Sequence, residues 1–223
     1  ICRDAIMVFG TNAKVDNWNK IQLGSMSEKQ YDIPSLKTKP KHNYCVEKTG
    51  LIKNSPFMDL LKVKENAKVM LTYNIDTADK LTNGQIGKIT KIVTNSSGEV
   101  SAIIVLFDDQ SVGCNQKQKY KKYSQYNGVP IVRIKFNYSI GKKSTATTEI
   151  IQFPIRLAWA ITAHKMQGQT VKCPTNLVTD LRTVFQANQA YVILSRVQTL
   201  NQIYFINDCP EKKIYCSNKC KTK

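Results

Sequence analysis

The chain of 223 residues carries 33 lysines and arginines against 16 aspartates and glutamates, a formal net charge of +17. Such an excess favours a polyanionic partner, because each phosphate neutralised releases condensed counterions. Seven irregularly spaced cysteines do not read as a disulfide framework and point to a reducing compartment, and no apolar run of about 18 residues offers a membrane span.

In chain order, Ala5 to Phe9 is a short apolar run that predicts a strand, closed by a Gly10-Thr11-Asn12 turn. Ala13, Val15, Trp18, Ile21 and Leu23 follow with mixed helical spacing, so the opening reads as a strand entering a helix in an α/β layer. Gly24 to Lys64 is weakly patterned and interrupted by Pro34, Pro40 and Pro56, which predicts loop with one short helix. From Lys68 to Ile151 the chain turns to β-branched and aromatic residues, with strands predicted at Lys68 to Asn74, Gly84 to Val93, Val100 to Phe107 and Val129 to Tyr138. Turn signals at Asn83-Gly84, Asn95 to Gly98 and Asp108-Asp109 separate them, and the set predicts a small antiparallel barrel.

After Pro154 a helical period returns. Trp159, Ala163 and Met166 share one face, and Gly168 stands where a helix C-cap belongs. Thr183 to Ser195 predicts another helix, and Gln202 to Ile206 a closing buried strand. The organisation is therefore an α/β domain, residues 1–40 and 153–208, split by a β insertion at 41–152 and followed by a basic tail at 209–223.

Residues that carry chemistry are few. Thr11 and Asn12 close a strand, where open α/β sheets bind ligands, though either side chain also suits the cap of the next helix. KQKYKKYSQY, Lys117 to Tyr126, interleaves lysine with tyrosine as a strand-binding loop does, or forms an exposed hairpin tip. Cys209, Cys216 and Cys220, with His42 and His164 the two histidines of the chain, make a poor zinc set, so no metal site is expected. The chain opens on Ile1 without a basic region and apolar core, so no signal peptide is expected. A G-x-x-x-x-G-K-[ST] phosphate loop does not occur in the 223 residues.

Four segments in order carry a resemblance. FPIRLAWAITAHKMQGQTV, from Phe153 to Val171, and AYVILSRV, from Ala190 to Val197, resemble the last two motifs of the Pif/RecD branch of superfamily 1 DNA helicases, written LAWAxxIHKxQGxT and YVALSR. TNAKVDNWN, from Thr11 to Asn19, is similar to the family's ATNxxVDxxN, and Leu51 to Ile89 resembles its approach to the β insertion, with Asn83, Gly84 and Gly87 in register. Ala163 and Met166 depart from the Ile and Ser often found there, while Gly24 to Gly50 and the tail after Asp208 are unmatched.

The resemblance, which extends to helicases of Helitron-type transposons, implies a second RecA-like domain interrupted by a small antiparallel β-barrel. It implies an enzyme that couples ATP hydrolysis to 5′–3′ movement along single-stranded DNA as a monomer. Arg196 matches the arginine finger that stabilises the breaking γ-phosphate; its plain alternative is a helix-terminal arginine against the C-terminal dipole. Gln167 and Gly168 would join Arg196 at the nucleotide, and Thr11, Asn12, His164, Lys165 and Thr170 would meet the single strand. ATP and Mg²⁺ would be held mainly by an N-terminal RecA-like domain that lies outside this chain and bears the phosphate loop. The expected setting is intracellular, the nucleus first and the mitochondrion second. A non-catalytic single-strand-binding module, or a transposon-derived remnant, is the rival reading. A ribosome-type or chromatin protein would explain the charge but not the ordered motifs.

Overall fold

The structure is a computed structural model that describes residues 5–37, 50, 52, 55–139, 147–168, 170–171, 175–208 and 214. Packing divides the chain into two units, Ile1–Gly24 with Ala158–Lys223, and Ser25–Leu157.

The first unit opens with β1 (Ala5–Phe9) and α1 (Asn12–Gly24). The second holds β2 (Gln30–Pro34), β3 (Leu36–Lys37), β4 (Leu60–Lys64), β5 (Lys68–Leu71), β6 (Ile86–Thr94), β7 (Val100–Phe107), α2 (Cys114–Lys119), β8 (Val129–Ile131), β9 (Ile134–Ser139), β10 (Thr147–Gln152) and β11 (Ile155–Leu157). The chain then returns to the first unit for β12 (Ala160–Thr162), β13 (Asn176–Thr179), α3 (Gln189–Leu194) and β14 (Ile203–Phe205).

In the first unit these strands form a parallel sheet in the order β12-β1-β13-β14. All five residues of β1 are buried, as a strand with neighbours on both sides requires of its apolar run. The α1 helix covers the sheet with Val15 and Leu23, and the ring of Trp18 tilts against Phe9 with centroids 6.2 Å apart. Asn19, 3% exposed, does something different. Its Nδ2 donates to the Ala160 carbonyl at 3.0 Å and its Oδ1 accepts from the Ala160 N–H at 2.9 Å, so a side chain pairs the open backbone edge of β12.

Two predicted helices resolve differently. The first is β12 followed by a 3-10 turn at Ala163–Met166. Ala158 and Ala160 to Ala163 are all buried, and a strand covered on both faces reads as a continuous apolar run that periodicity does not distinguish from a buried helix. Gly168 does adopt a left-handed φ of 80°, one residue beyond the cap Gln167. The second predicted helix starts late: Leu181–Thr183 is a 3-10 turn, Val184 is buried, and α3 begins only after Asn188 at φ 64°. The closing strand β14 is a sheet edge with Tyr204 and Phe205 exposed, not a buried strand.

Among the described residues the second unit holds three antiparallel sheets, ordered β11-β5-β6-β7-β8, β3-β10-β9 and β2-β4. The five-stranded sheet keeps two edges, so its pairing does not close into the expected barrel. The predicted strand Val129 to Tyr138 breaks at Val132-Arg133, sending β8 to pair with β7 and β9 with β10. Gly24 to Lys64, predicted as loop with one helix, contains β2, β3 and β4. β2 buries only Ile33, and β4 alternates buried Leu61 and Val63 over just five residues, too short a period to stand out in the sequence. Gln152, fully buried, stitches this unit by donating to the carbonyls of Ile33 at 3.0 Å and Met58 at 3.3 Å.

Candidate functional site

The parallel order sets the site. From β1 the chain crosses to β12 on one side, then continues to β13 and β14 on the other, so the direction of winding reverses between β1 and β13. Open α/β sheets bind ligands beyond the carboxyl ends of strands at such a point. Here those ends carry Gly10-Thr11-Asn12 after β1, the Ala163–Met166 turn after β12, and Asp180 to Thr183 after β13.

The connections after β1 and β13 are tied to each other and to the start of α3 by hydrogen bonds. The Gly10 N–H donates to Thr183 Oγ1 at 2.9 Å, and Thr183 Oγ1 donates to the Asp180 carbonyl at 2.7 Å. Gln189, 4% exposed, donates from Nε2 to the Gly10 carbonyl at 3.3 Å while its Oε1 accepts from the Phe185 N–H at 3.1 Å. The carboxylate of Asp180 accepts from Arg182 N, Nε and Nη2 at 3.1, 3.0 and 3.2 Å, with the Lys14 ammonium 3.8 Å away. The hydrogen bond from Arg182 holds the Asp180 carboxyl below the usual carboxylate range against the opposing effect of burial.

Beside this frame a cleft of about 200 Å³ is lined by Ala163, His164, Gln167, Asn188, Gln189 and Val192, among others. It brings together two segments that lie apart in sequence, the Ala163–Met166 turn and the start of α3. His164 and Gln167 are exposed along its wall and Lys165 is half-buried, while Ala163 and Met166 anchor the turn in the core. Gly168 and Thr170 are exposed; Gln169 lies outside the described residues. The N–H of Val171 donates to the Arg196 carbonyl at 2.7 Å, which places Thr170 beside the end of α3. Arg196 is half-buried, with Nε donating to the Val192 carbonyl at 3.0 Å and Nη2 to Ser195 Oγ at 2.9 Å. Its guanidinium therefore rests on its own helix end. Thr11 starts α1 by accepting from the Val15 N–H at 3.3 Å, and Asn12 is exposed at its first position. Tyr191 is 69% exposed and packs in no core.

The sequence reading passed over Asp180, Arg182, Thr183 and Gln189. Their signal was present in part, since Gln189 directly precedes AYVILSR and Asp180 follows a short apolar run, but β13 was not recognised as a strand. Among the described residues no three of His, Cys, Asp and Glu come together as a metal site. Cys209, Cys216 and Cys220 lie outside the described residues.

No protein-family model matches the chain. It is 25% identical over 256 residues to the ATP-dependent DNA helicase RRM3 of Saccharomyces cerevisiae, a match covering 92% of this chain and 34% of the relative. With the ATP-dependent DNA helicase PIF1 of Danio rerio it shares 32% identity over 146 residues, 66% of this chain and 19% of the relative. The chain is similar to the Pif-like superfamily 1 helicases. Its correspondence is to their C-terminal part, and it spans about a third or less of these two relatives. The fold agrees with the Pif1 helicase from Bacteroides in complex with ADP-AlF3 and ssDNA, at a TM-score of 0.67 and 24% identity, covering 99% of this chain and 45% of that one. In a Pif-like frame the four-stranded parallel sheet is the RecA-like layer; His164 and Gln167 line the cleft beside its carboxyl edge, and the Val171–Arg196 backbone bond ties the chain after Thr170 to the end of α3.

Proposed function

We propose that this chain forms the second motor domain of an ATP-dependent 5′–3′ DNA helicase, presenting Arg196 to ATP across a domain interface and Thr11, Asn12, His164, Lys165 and Thr170 to single-stranded DNA. Gln167 and Gly168 lie between the two ligands and sense the nucleotide. The phosphate loop and the acidic ligands of Mg²⁺ belong to a partner RecA-like domain. The relatives support this reading by name, and a Bacteroides neighbour binds ADP-AlF3 and ssDNA together. The reading carries with it a monomeric intracellular motor, in a eukaryote one of the nucleus, with the mitochondrion as the alternative.

One observation carries it: Ala163, His164 and Gln167 face Asn188, Gln189 and Val192 across one cleft, and the Val171–Arg196 backbone bond joins the two segments further along. A change at one ligand then reaches the other through a few residues. ATP supplies the phosphoryl group when bound. Arg196 contributes positive charge where negative charge develops, after leaving Val192 and Ser195. Each of those two contacts is worth about 0.5–1.5 kcal/mol net, and a charge-assisted bond to phosphate is roughly twice as strong as a neutral one. Two such bonds to a phosphate, the fork geometry of a guanidinium, are needed to offset the contacts left at the helix end.

The test is Arg196→Ala in the complete helicase. DNA-stimulated ATPase should fall about 10³-fold or more, with single-strand affinity held within about threefold. Unchanged ATPase would overturn the assignment and favour a non-catalytic single-strand-binding module. The 223-residue chain by itself should bind single strands weakly and salt-dependently and hydrolyse no ATP; robust hydrolysis by a clean preparation would also refute the proposal.

A further inference from the structure

The second unit carries an element that the helicase motifs leave unused. Between β7 and β8 the chain folds into α2 and then a 3-10 turn at Lys121–Tyr123. KQKYKKYSQY offers the two ingredients of a single-strand platform, cations and rings on which bases stack, and the structure separates them. Tyr123 is 7% exposed and packs with Ala102 and Ile104, while Tyr120 and Tyr126 lean half-buried on the same cluster. The ammonium of Lys119 lies 5.5 Å from the Tyr120 ring centroid, and that of Lys122 lies 4.9 Å from the Tyr123 centroid. The rings are thereby committed to the core and to lysine. Lys117, Lys119, Lys121 and Lys122 remain outside, four exposed cations within six residues.

A buried frame holds these lysines in place. Asp79, 4% exposed, accepts at its carboxylate from the Asn115 and Gln116 N–H groups at 2.9 Å each, and at its carbonyl from the Gly113 N–H at 2.9 Å. Buried Gln116 donates to the Pro130 carbonyl at 3.2 Å. Asp79 is engaged in this cap and Asp109 with Lys80 at 3.6 Å, while Asp108 is exposed. None of the four lysines forms an ion pair with a described residue.

We infer that this lysine surface binds the phosphate backbone of duplex DNA. With the ring faces taken, recognition is left to charge, and charge-driven binding follows phosphate density. A duplex carries one charge per about 1.7 Å of axis, and the logarithmic salt slope per neutralised phosphate is about −0.9 for duplex and −0.7 for single strands. Lys117 and Lys119 stand on α2 and Lys121 and Lys122 on the 3-10 turn after it, so the four cations cluster over two successive turns of chain. Contacts from lysine ammonium groups to phosphate carry no sequence information, so this part of the binding is independent of sequence.

The experiment measures the salt dependence of binding of the whole chain to a fluorescent 20-base-pair duplex and to the matching single strand. It uses wild type, the quartet Lys117→Gln, Lys119→Gln, Lys121→Gln and Lys122→Gln, and a control quartet Lys20→Gln, Lys29→Gln, Lys62→Gln and Lys88→Gln that removes equal charge from exposed positions elsewhere. If three of the four lysines each neutralise one phosphate, the duplex slope becomes shallower by about 2.7 in the first quartet. The control should change it by less than about 1. Equal losses in both quartets would show net charge alone at work and overturn the proposal, as would an unchanged duplex slope or a loss confined to the single strand. Circular dichroism and thermal midpoint monitor folding. Should the quartet unfold, the pair Lys117→Gln and Lys121→Gln, which leaves both lysine–ring contacts intact, is expected to give about half the change, and an unchanged slope in that pair overturns the proposal equally.

Discussion

Replacing Gly10 by alanine tests the frame on which the candidate site is built. An added Cβ would stand 2.1 Å from the Thr183 carbonyl oxygen and 2.8 Å from its carbon, so the Leu181–Thr183 turn has to retreat by more than about 1 Å to recover ordinary contact. That turn is anchored, since Thr183 Oγ1 accepts from Gly10 at 2.9 Å and donates to Asp180 at 2.7 Å, and Gln189 reaches the Gly10 carbonyl at 3.3 Å. Overpacking costs about 1–3 kcal/mol, and each weakened hydrogen bond about 0.5–1.5 kcal/mol. The gain from a stiffer unfolded chain, about 0.4–1 kcal/mol, does not offset them. Gly10→Ala is therefore expected to destabilise the first unit by about 2–4 kcal/mol. Gly24→Ala is the matched control, because no atom lies within 4 Å of its added Cβ, and it should be neutral or stabilising. Both tryptophans, Trp18 and Trp159, belong to the first unit, so their emission during thermal unfolding reports that unit alone. At about 2–4 °C per kcal/mol for a chain of this size, the Gly10→Ala midpoint should drop by roughly 4–15 °C. A midpoint within about 2 °C of wild type would refute the close approach as a constraint.

Asn19→Ala strips both partners from the buried Ala160 backbone, and should cost the first unit about 2–4 kcal/mol by urea unfolding followed at tryptophan emission; a loss below about 0.5 kcal/mol would mean that water replaces the amide. Asp180 gives a pH signature. Its carboxyl is held below the ordinary 3.8 by Arg182, and a depressed native pKa adds stability above the unfolded value and withdraws it as pH falls through the native one. Wild type should therefore exceed Asp180→Asn in thermal midpoint at pH 7, and the two should converge as the pH drops below 3.8; a gap that persists undiminished at acid pH would assign the effect to packing.

Sequence served best where one local signal decides the structure. The apolar run of β1 and the helical spacing of α1 appear where expected, as do β7 from Val100 to Phe107 and the position of β14. It served worst where burial on two faces erases the period, as in Ala160 to Ala163, or where a tertiary bond decides the backbone, as Thr183 and Gln189 do through Gly10. β2 buries one apolar side chain, Ile33, and β4 alternates over only five residues, too short a pattern to reveal their pairing. Motif strings located the turn and helix that line the cleft. They did not show that Asn19, the last residue of the TNAKVDNWN match, pairs the edge of β12, because a hydrogen bond over 141 residues leaves no local trace.

The interrupted order of the first unit has a consequence for biogenesis. β1 is an inner strand, yet both of its partners, β12 and β13, are translated after the Ser25–Leu157 unit. At a synthesis rate of about 5–20 residues per second, those intervening residues occupy the ribosome for roughly 7 to 27 s. Throughout that interval AIMVF has no sheet to join, while the second unit is continuous in sequence and able to close first. The nascent chain thus holds a sticky five-residue segment in waiting, a natural client for a chaperone, and the loop that must be closed to retrieve it makes assembly of the RecA-like layer the slow, aggregation-exposed step of folding.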